Sequence, residues 1–340
     1  MKLPIHSVAV LALACLLSAS PGRAADPIVG LIVKTETNPF FVTMKRAAIE
    51  KARALGVELR TYSGAYDGDA KGQIAAIGDL VNAGAKGILV APSDPAALAD
   101  AVARAREAGA AVIALDTPFE APGSADATFA TDNFQAGALI GMWARARLGE
   151  SARHARIATL DGFEAPITVD VRRNQGFLSG FGVDIRDPDR KYDEDDPRIV
   201  GSGTTRGTVE GGRAAMDALV REHPDIDAVY AINEPAAAGA HAALKALGLE
   251  KDILLVSVDG SCRGVRDVAA GAIGAIAMQY PVRMARLGIE AAVAFARTGG
   301  RPEAIPGSDF HDTGVTLVTD APVPGIPSIS SARALKKCWG

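Results

Sequence analysis

The chain has 340 residues, enough for two domains of ordinary size, and 48% of them are hydrophobic, as expected of a folded globular protein. Its formal net charge is −4, which gives no general attraction to nucleic acid or to an anionic membrane surface. We therefore expect no nucleic-acid partner.

The first 24 residues are predicted to be a secretory signal peptide. Lys2 precedes an apolar run at positions 8–17, which is too short to span a bilayer, and small residues follow it up to Ala24. An alternative makes Cys15 a lipoprotein acceptor, although apolar residues continue beyond it. Cleavage after Ala24 leaves two cysteines, Cys262 and Cys338, in an oxidising compartment.

The mature chain opens on a run of β-branched and aliphatic residues at 28–33, typical of a parallel strand that is buried on both faces. Lys34, Asn38, Phe40 and Phe41 follow before the next helical pattern. Ligands of open α/β sheets lie outside the carboxyl ends of the strands, so these side chains are candidate binding residues. Alternatively, one of the two phenylalanines packs the helix onto the core, because neighbouring helical residues point in different directions.

Strands and helices alternate through the first half of the chain, with glycine stops and short loops between them. This pattern predicts βαβ units and a parallel sheet. Asp116 and Thr117 come directly after the fourth strand, at the same sheet edge as Lys34. The predicted strands are 57–62, 87–91, 111–115 and 126–132, and the predicted helices are 71–83 and 95–108.

A second series begins with a helix at Asn133, in which Trp143 has the neighbours of a core residue. Asn233, Asp259 and Gln279 follow three of its strands. Asn233 or Asp259 can alternatively cap the next helix, but the repeated placement at strand ends favours a binding site. The predicted strands are 156–160, 198–203, 228–232, 253–258 and 275–278, and the helices are 171–180, 210–221, 235–247 and 264–270.

Two acidic stretches, at 67–69 and 187–196, do not have the alternating oxygen ligands of a calcium loop and are predicted to be solvated loops. The turn after the first strand contains no glycine, which argues against a dinucleotide-binding enzyme. We expect no metal, no cofactor and no catalytic residues.

These residues together resemble the sugar-binding proteins of ABC transporters of the ribose and galactose type, known as type I periplasmic binding proteins. The resemblance implies two doubly wound parallel-sheet α/β lobes joined by a three-stranded hinge. The N-terminal lobe would be 25–132 plus 281–309, and the C-terminal lobe 133–280 plus 310–340. The motifs that carry the resemblance are Asn38-Pro-Phe-Phe41, Asp116, Arg173 in Val-Arg-Arg-Asn-Gln-Gly-Phe177, Asn233, Asp259 and Gln279.

The resemblance also implies a ligand set that suits a sugar, whose C–H faces stack on aromatic rings and whose hydroxyls pair with planar polar groups. The family's second aromatic residue is absent at 203–207, and Phe163 is a candidate substitute. Thr117 replaces an arginine of the ribose binders. The implied ligand residues are Lys34, Asn38, Phe40, Phe41, Asp116, Thr117, Arg173, Asn233, Asp259 and Gln279.

Three short stretches, Asn233-Glu-Pro235, Gly260-Ser-Cys262 and Cys338-Trp-Gly340, are most similar to the fructose-binding branch. The resemblance thus implies fructose as the leading ligand, followed by ribose or another small monosaccharide or polyol. It also implies a disulfide between Cys262 and Cys338.

The implied protein is a monomeric periplasmic binder that delivers its sugar to the membrane permease of an ABC importer. A chemoreceptor adaptor is an alternative that no sequence feature separates. A sugar-responsive repressor shares the fold, but it would carry a helix-turn-helix where this sequence has the predicted signal peptide.

Overall fold

The computed structural model describes residues 27–121, 123–301 and 308–340, so the predicted signal peptide and its cleavage site lie outside the described residues. A short 3-10 helix spans Gly149–Arg153. The other elements, in chain order, are β1 (Ile28–Val33), α1 (Pro39–Leu55), β2 (Glu58–Ser63), α2 (Ala70–Asn82), β3 (Gly87–Val90), α3 (Pro95–Glu107), β4 (Ala111–Leu115), β5 (Ala127–Ala130), α4 (Asn133–Leu148), β6 (Ile157–Asp161), α5 (Thr168–Phe181), β7 (Ile199–Thr204), α6 (Val209–Glu222), β8 (Ala228–Ala231), α7 (Glu234–Leu247), β9 (Leu254–Asp259), α8 (Cys262–Ala269), β10 (Ala275–Met278), α9 (Pro281–Thr298), β11 (Phe310–Asp312), β12 (Thr316–Val318) and α10 (Ser331–Ala334).

The strands form two six-stranded sheets, one in each lobe. Their orders are β11-β5-β4-β3-β1-β2 and β12-β10-β9-β8-β6-β7, and β12 is the one antiparallel strand among those described. In each sheet the direction of winding reverses beside the first strand of the lobe, between β1 and β3 and between β6 and β8. The two doubly wound lobes predicted from the sequence are therefore present, and each has a switch point of the kind at which such sheets bind ligands.

The chain crosses between the lobes three times. It leaves the first sheet after β5, returns between β10 and α9, and leaves again after β11. Phe310 was predicted to begin the return to the C-terminal lobe, but Phe310–Asp312 pairs with β5 in the first sheet. The third crossing therefore falls at residues 313–315, because the three residues before it satisfy the free edge of β5.

The first strand shows why the N-terminal sheet is covered by helices on both faces. Val29, Leu31 and Val33 belong to one hydrophobic cluster, together with residues of α1 and α9, whereas Ile32 belongs to the cluster formed with α2 and α3. Successive strand residues point to opposite faces, so a continuous apolar run is the pattern that a two-sided sheet requires.

In the second lobe, α4 and α5 touch backbone to backbone. A Cβ atom at Gly137 would collide with the carbonyl oxygen of Arg173, and one at Gly176 would collide with that of Phe134. Gly141 and Gly180 repeat the arrangement one turn further on. This close packing fixes the position of Arg173 relative to the start of α4, at the hinge.

Trp143 on α4 is buried in the second lobe, and its Nε1 donates to the carbonyl oxygen of Ala321 at 2.9 Å. The aromatic core of that lobe is continued by Phe177, which stacks on Tyr230 with ring centroids 5.2 Å apart.

Within the described part of the chain, no helix has the length and apolar character needed to cross a membrane.

Candidate ligand-binding site

The predicted binding residues converge on the cleft between the lobes because they follow strands whose carboxyl ends face it. Asp116 follows β4 in the first lobe, and Asp259 ends β9 in the second. Both have a positive φ, +64° and +132° respectively. Such a backbone conformation is uncommon for residues other than glycine, and residues that adopt it often lie at functional sites.

A charged cluster forms the floor of the first lobe. Lys34 is buried, with its Nζ 3.7 Å from Asp116 Oδ2 and 4.0 Å from Asp67 Oδ1. The same ammonium lies 5.8 Å from the ring centroid of Phe41. Thr117 Oγ1 donates to Asp116 Oδ2 at 2.9 Å, so Thr117 orients the carboxylate of its neighbour.

Asp67 belongs to this cluster, although the sequence predicted only a solvated loop at 67–69. Burial raises the pKa of Asp67 above its ordinary value, Lys34 lowers it, and Asp116 raises it. The charge of Arg173, from the second lobe, also lowers this pKa. Asp69, in contrast, is the N-cap of α2, where Gly72 N donates to its Oδ1.

The start of α1 supplies the aromatic wall. Asn38 is the N-cap of α1, and its Oδ1 accepts a hydrogen bond from Phe40 N at 3.0 Å. Phe40 and Phe41 are both buried and meet edge to face, with centroids 5.3 Å apart. The two phenylalanines thus point in different directions, Phe41 towards Lys34 and Phe40 towards Trp339.

Arg173 on α5 reaches the cleft from the second lobe and is buried there. Its Nε donates to Asn133 Oδ1 at 2.7 Å, and Nη1 donates to the carbonyl oxygen of Ile232 at 3.0 Å. These bonds fix the plane of the guanidinium group. Asn133, the first residue of α4, was read from the sequence only as a helix start.

Asp259 and Gln279 form the other half of the second lobe's site. Gln279 Nε2 donates to Asp259 Oδ1 at 3.0 Å, and Glu234 N donates to Asp259 Oδ2 at 3.2 Å. Gln279 Oε1 is buried and has no hydrogen-bond partner among the residues that the structure describes. A ligand hydroxyl placed beside it would satisfy this acceptor.

The sequence left open that Asn233 and Asp259 are helix caps, and the structure gives a different answer for each. Asn233 is the N-cap of α7, since its Oδ1 accepts from Ala236 N at 3.0 Å while its Nδ2 donates to the carbonyl oxygen of Gly207. Asp259 does not cap α8, because Ser261 performs that role through a bond from Gly264 N. The carboxylate of Asp259 instead accepts from the backbone N–H of Glu234, the first residue of α7.

Two buried acids lie side by side in this half of the cleft. Burial raises the pKa of Asp259 to about 6, against the lowering effect of Arg173, and the charge of Asp116 raises it further from across the cleft. Burial, followed by the charge of Asp259, raises the pKa of Glu234 to about 8. Glu234 Oε1 accepts from Gly260 N and Ser261 N, and its Oε2 from Ser261 Oγ.

A cavity of about 680 Å³ occupies the cleft and has walls from both lobes. Its volume is within the usual range for small-molecule sites. Asn38 and Asp67 line it from the first lobe, Asp259 and Glu234 from the second, and Trp339 from the chain terminus. Of the ten predicted ligand residues, Asn38 and Asp259 are on its walls and the other eight are not among its wall residues.

Phe163 is not a wall residue of this cavity. Its backbone is tied to a separate polar group beneath β6, since Phe163 N donates to Asp170 Oδ2 and Lys191 Nζ donates to the Phe163 carbonyl oxygen. Lys191 and Asp170 are themselves a buried ion pair. These bonds hold the backbone of Phe163 in place, and its role as the second aromatic residue stays a prediction.

The structure contains a disulfide between Cys262 and Cys338, whose Cα atoms are 4.9 Å apart. The described residues include no group of three or more histidine, cysteine or acidic side chains placed to hold a metal ion.

Two doubly wound lobes around a cleft with charged, amide and aromatic side chains are the architecture of a two-lobed binding protein for a small molecule. The chain belongs to the periplasmic binding protein domain family, whose model matches residues 29–301. It is similar to the ribose import binding protein RbsB of Escherichia coli (strain K12), with 30% identity over 85% of this chain and 92% of that one. It is also similar to the D-allose-binding periplasmic protein of the same organism, with 28% identity over 84% of this chain and 88% of that one.

A solved structure shares the fold over most of its length. It is an ABC transporter solute-binding protein from Mycobacterium smegmatis with bound glycerol, and it matches with a TM-score of 0.74 and 29% identity. The match covers 86% of this chain and 94% of that chain.

Proposed function

We propose that this protein binds a monosaccharide between its two lobes and is the solute-binding component of an ABC sugar importer. Family membership and relatives named for the import or binding of ribose and D-allose support the proposal. The similar solved structure is that of an ABC transporter solute-binding protein.

The observation that carries the proposal is the pairing of fixed polar groups across one cleft. Lys34 and Asp116 form an ion pair in one lobe, and hydrogen bonds hold Arg173, Asp259 and Gln279 in the other, so both lobes supply polar groups of fixed orientation. A sugar's ring of hydroxyl groups both donates and accepts, which suits such a mixture of charged and amide groups. Phe41 adds the apolar surface that the sugar's C–H groups require.

The identity of the sugar is the finer part of the proposal. The relatives' names point to ribose and D-allose, whereas the short stretches at Asn233-Glu-Pro235, Gly260-Ser-Cys262 and the chain terminus resemble the fructose-binding branch. Thr117 removes one charged donor that ribose binders carry. We propose a monosaccharide as the ligand class, with D-fructose, D-ribose and D-allose as the first three to compare.

The proposed setting is the periplasm. Residues 1–24 would direct export, the mature protein would be a monomer with the Cys262–Cys338 disulfide formed, and the sugar-loaded form would dock on a membrane permease. The proposed role is binding without catalysis, so the sugar would be released chemically unchanged.

A thermal-shift screen of the purified mature protein tests this function. Monosaccharides and polyols form one panel, and amino acids form the control panel. A ligand at 100 times its dissociation constant stabilises the folded state by about 2.7 kcal/mol, which such a screen detects readily. We expect a monosaccharide to give the largest shift. Stabilisation by amino acids and by no sugar or polyol would overturn the proposal.

A further inference from the structure

The last residues of the chain are fixed to the second lobe at the start of α8. The disulfide joins Cys338 to Cys262, the first residue of that helix. Cys262 N donates to the carbonyl oxygen of Trp339 at 2.8 Å, and Ser261 and Trp339 form a parallel β-bridge. The backbone of Trp339 is thus held at the start of α8 by the disulfide of its neighbour Cys338, by this hydrogen bond and by the bridge to Ser261.

The indole ring of Trp339 nevertheless packs into the first lobe. The side chain is 6% exposed and belongs to the hydrophobic cluster of β1, α1 and α9. Its ring meets Phe40 edge to face, with centroids 5.5 Å apart and planes at 81°. A tail that is bonded to one lobe therefore inserts its aromatic ring into the other.

The same ring contacts the ligand site. Trp339 Nε1 donates to the backbone carbonyl oxygen of Gln279 at 3.0 Å, immediately beside the amide side chain whose Oε1 has no partner among the described residues. Trp339 also lines the cavity, together with Asn38 and Asp259. It therefore touches a predicted sugar residue of each lobe, Phe40 in the first and Gln279 in the second.

We propose that Trp339 is a positioning residue that ties ligand binding to closure of the lobes, and that the Cys262–Cys338 disulfide holds it in place for this role. This inference rests on the proposed function, because it assigns a residue to the same site. When the lobes separate, the anchored tail stays with α8, so the contact between Trp339 and Phe40 must break. Closure restores that contact and buries the ring again, which favours the closed form and slows ligand release.

The chain offers a matched control, because it contains two tryptophans. Trp143 is buried within the second lobe, where its Nε1 donates to Ala321 O, away from the cleft. Trp143→Phe leaves Trp339 as the single indole, and Trp339→Phe leaves Trp143. Each variant keeps an aromatic ring at the changed position, so the two compare one substitution at two sites.

The first test measures fluorescence and affinity during titration with D-fructose, D-ribose and D-allose. We expect Trp143→Phe to keep the parent's dissociation constant and a ligand-induced fluorescence change. Trp339→Phe should lose that change and bind roughly three- to tenfold more weakly, as expected for the loss of the hydrogen bond from Nε1 to the carbonyl oxygen of Gln279, and the weaker binding should come from a faster dissociation rate. Parental affinity and a parental fluorescence change in Trp339→Phe would overturn the proposal.

The second test needs no ligand, so its result stands even if no sugar binds. Acrylamide quenching of the Trp143→Phe protein reports the exposure of Trp339 alone. Because the ligand-free protein samples the open form, in which Trp339 leaves Phe40, we expect acrylamide to quench Trp339 more strongly than it quenches Trp143 in the Trp339→Phe protein, where Trp143 is buried within one lobe. Adding Cys262→Ser and Cys338→Ser should change the quenching of Trp339, because the tail is then no longer bonded to α8. Equal shielding of the two tryptophans, or quenching of Trp339 that does not depend on the disulfide, would contradict the role proposed for Trp339 whether or not the proposed function holds.

Discussion

Asp259 is the residue on which the second lobe's half of the site is centred. It adopts a positive φ, accepts from Gln279 Nε2 and Glu234 N, and has its pKa raised to about 6 by burial. Ser261, and not Asp259, caps the helix that follows. The local structure thus excludes Asp259 as the cap of α8 and shows that its Oδ2 accepts from the first residue of α7, and its role in ligand binding stays a prediction.

Asp259→Ala should weaken sugar binding at least a hundredfold. Hydrogen bonds to a charged group contribute about 1.5 to 3 kcal/mol each, and a hundredfold loss corresponds to about 2.7 kcal/mol. Isothermal titration calorimetry measures this change. Asp94→Ala is the matched control, since Asp94 is a plain N-cap of α3 and its loss should cost about 1 kcal/mol of folding stability with unchanged binding. Parental affinity in Asp259→Ala would refute the role assigned to this residue.

The raised pKa of Glu234 predicts how stability varies with pH. Its ordinary value is 4.5, and burial beside Asp259 raises it to about 8 in the folded protein. The folded state therefore holds more protons than the unfolded state between these values, and the free energy of unfolding falls as pH rises through them. Below pH 4.5 this contribution is fully present, and above pH 8 it is lost.

Glu234→Gln should flatten this dependence. Urea unfolding at pH 5 and pH 8 measures the free energy of unfolding of the variant and of the parent. The difference, variant minus parent, should be larger at pH 8 than at pH 5 by roughly 1 kcal/mol or more, since one pKa unit corresponds to about 1.4 kcal/mol. Glu210→Gln is the control, because Glu210 lines the same cavity but is exposed, and this substitution should leave the pH dependence of the parent unchanged. An equal decline in parent and Glu234→Gln would show that another group controls the slope.

At the scale of elements, the strand-end rule explains what the sequence predicted. Lys34, Asp116 and Gln279 were predicted as ligand residues because parallel strands of one sheet end at one edge, and a polar residue after an apolar run is visible in the sequence. The alternation of strands and helices that underlies this rule is present in both lobes.

The residues that were missed have no such signal. Asp67 lies in a loop after a half-exposed strand, and its neighbour Asp69 is an ordinary helix cap. Asn133 reads as the start of a helix. Trp339 reaches its place through a disulfide that spans 76 positions, and its contact with Phe40 depends on how two lobes meet. Tertiary placement of this kind leaves no local pattern in one sequence.

The glycines of α4 and α5 give a prediction at this scale. Gly176→Ala should lower the free energy of unfolding by about 1 to 3 kcal/mol, because its Cβ would meet the backbone of α4. It should also weaken ligand binding by displacing Arg173. Gly78→Ala in α2 is the control, because nothing lies within 4 Å of its Cβ position, and it should stabilise by about 0.5 to 1 kcal/mol. Thermal and urea unfolding measure both effects, and equal results for the two variants would refute the packing argument.

At the scale of the whole molecule, the charges of the cleft connect the lobes. Asp116 of the first lobe and Arg173 of the second both act on the pKa of Asp259, and Arg173 also acts on Asp67. A sugar that replaces water between these groups interacts with both lobes in the closed form and with fewer residues in the open form. By mass action it therefore shifts the population towards the closed form.

Small-angle X-ray scattering of the mature protein, with and without the monosaccharide identified by the screen, tests this central claim most directly. We predict a smaller radius of gyration at saturating sugar, because the three crossings at residues 131–132, 279–280 and 313–315 allow the lobes to rotate towards each other. Calorimetry on the same sample establishes that the sugar is bound. An unchanged radius of gyration with the sugar bound would contradict a site that is shared between the two lobes.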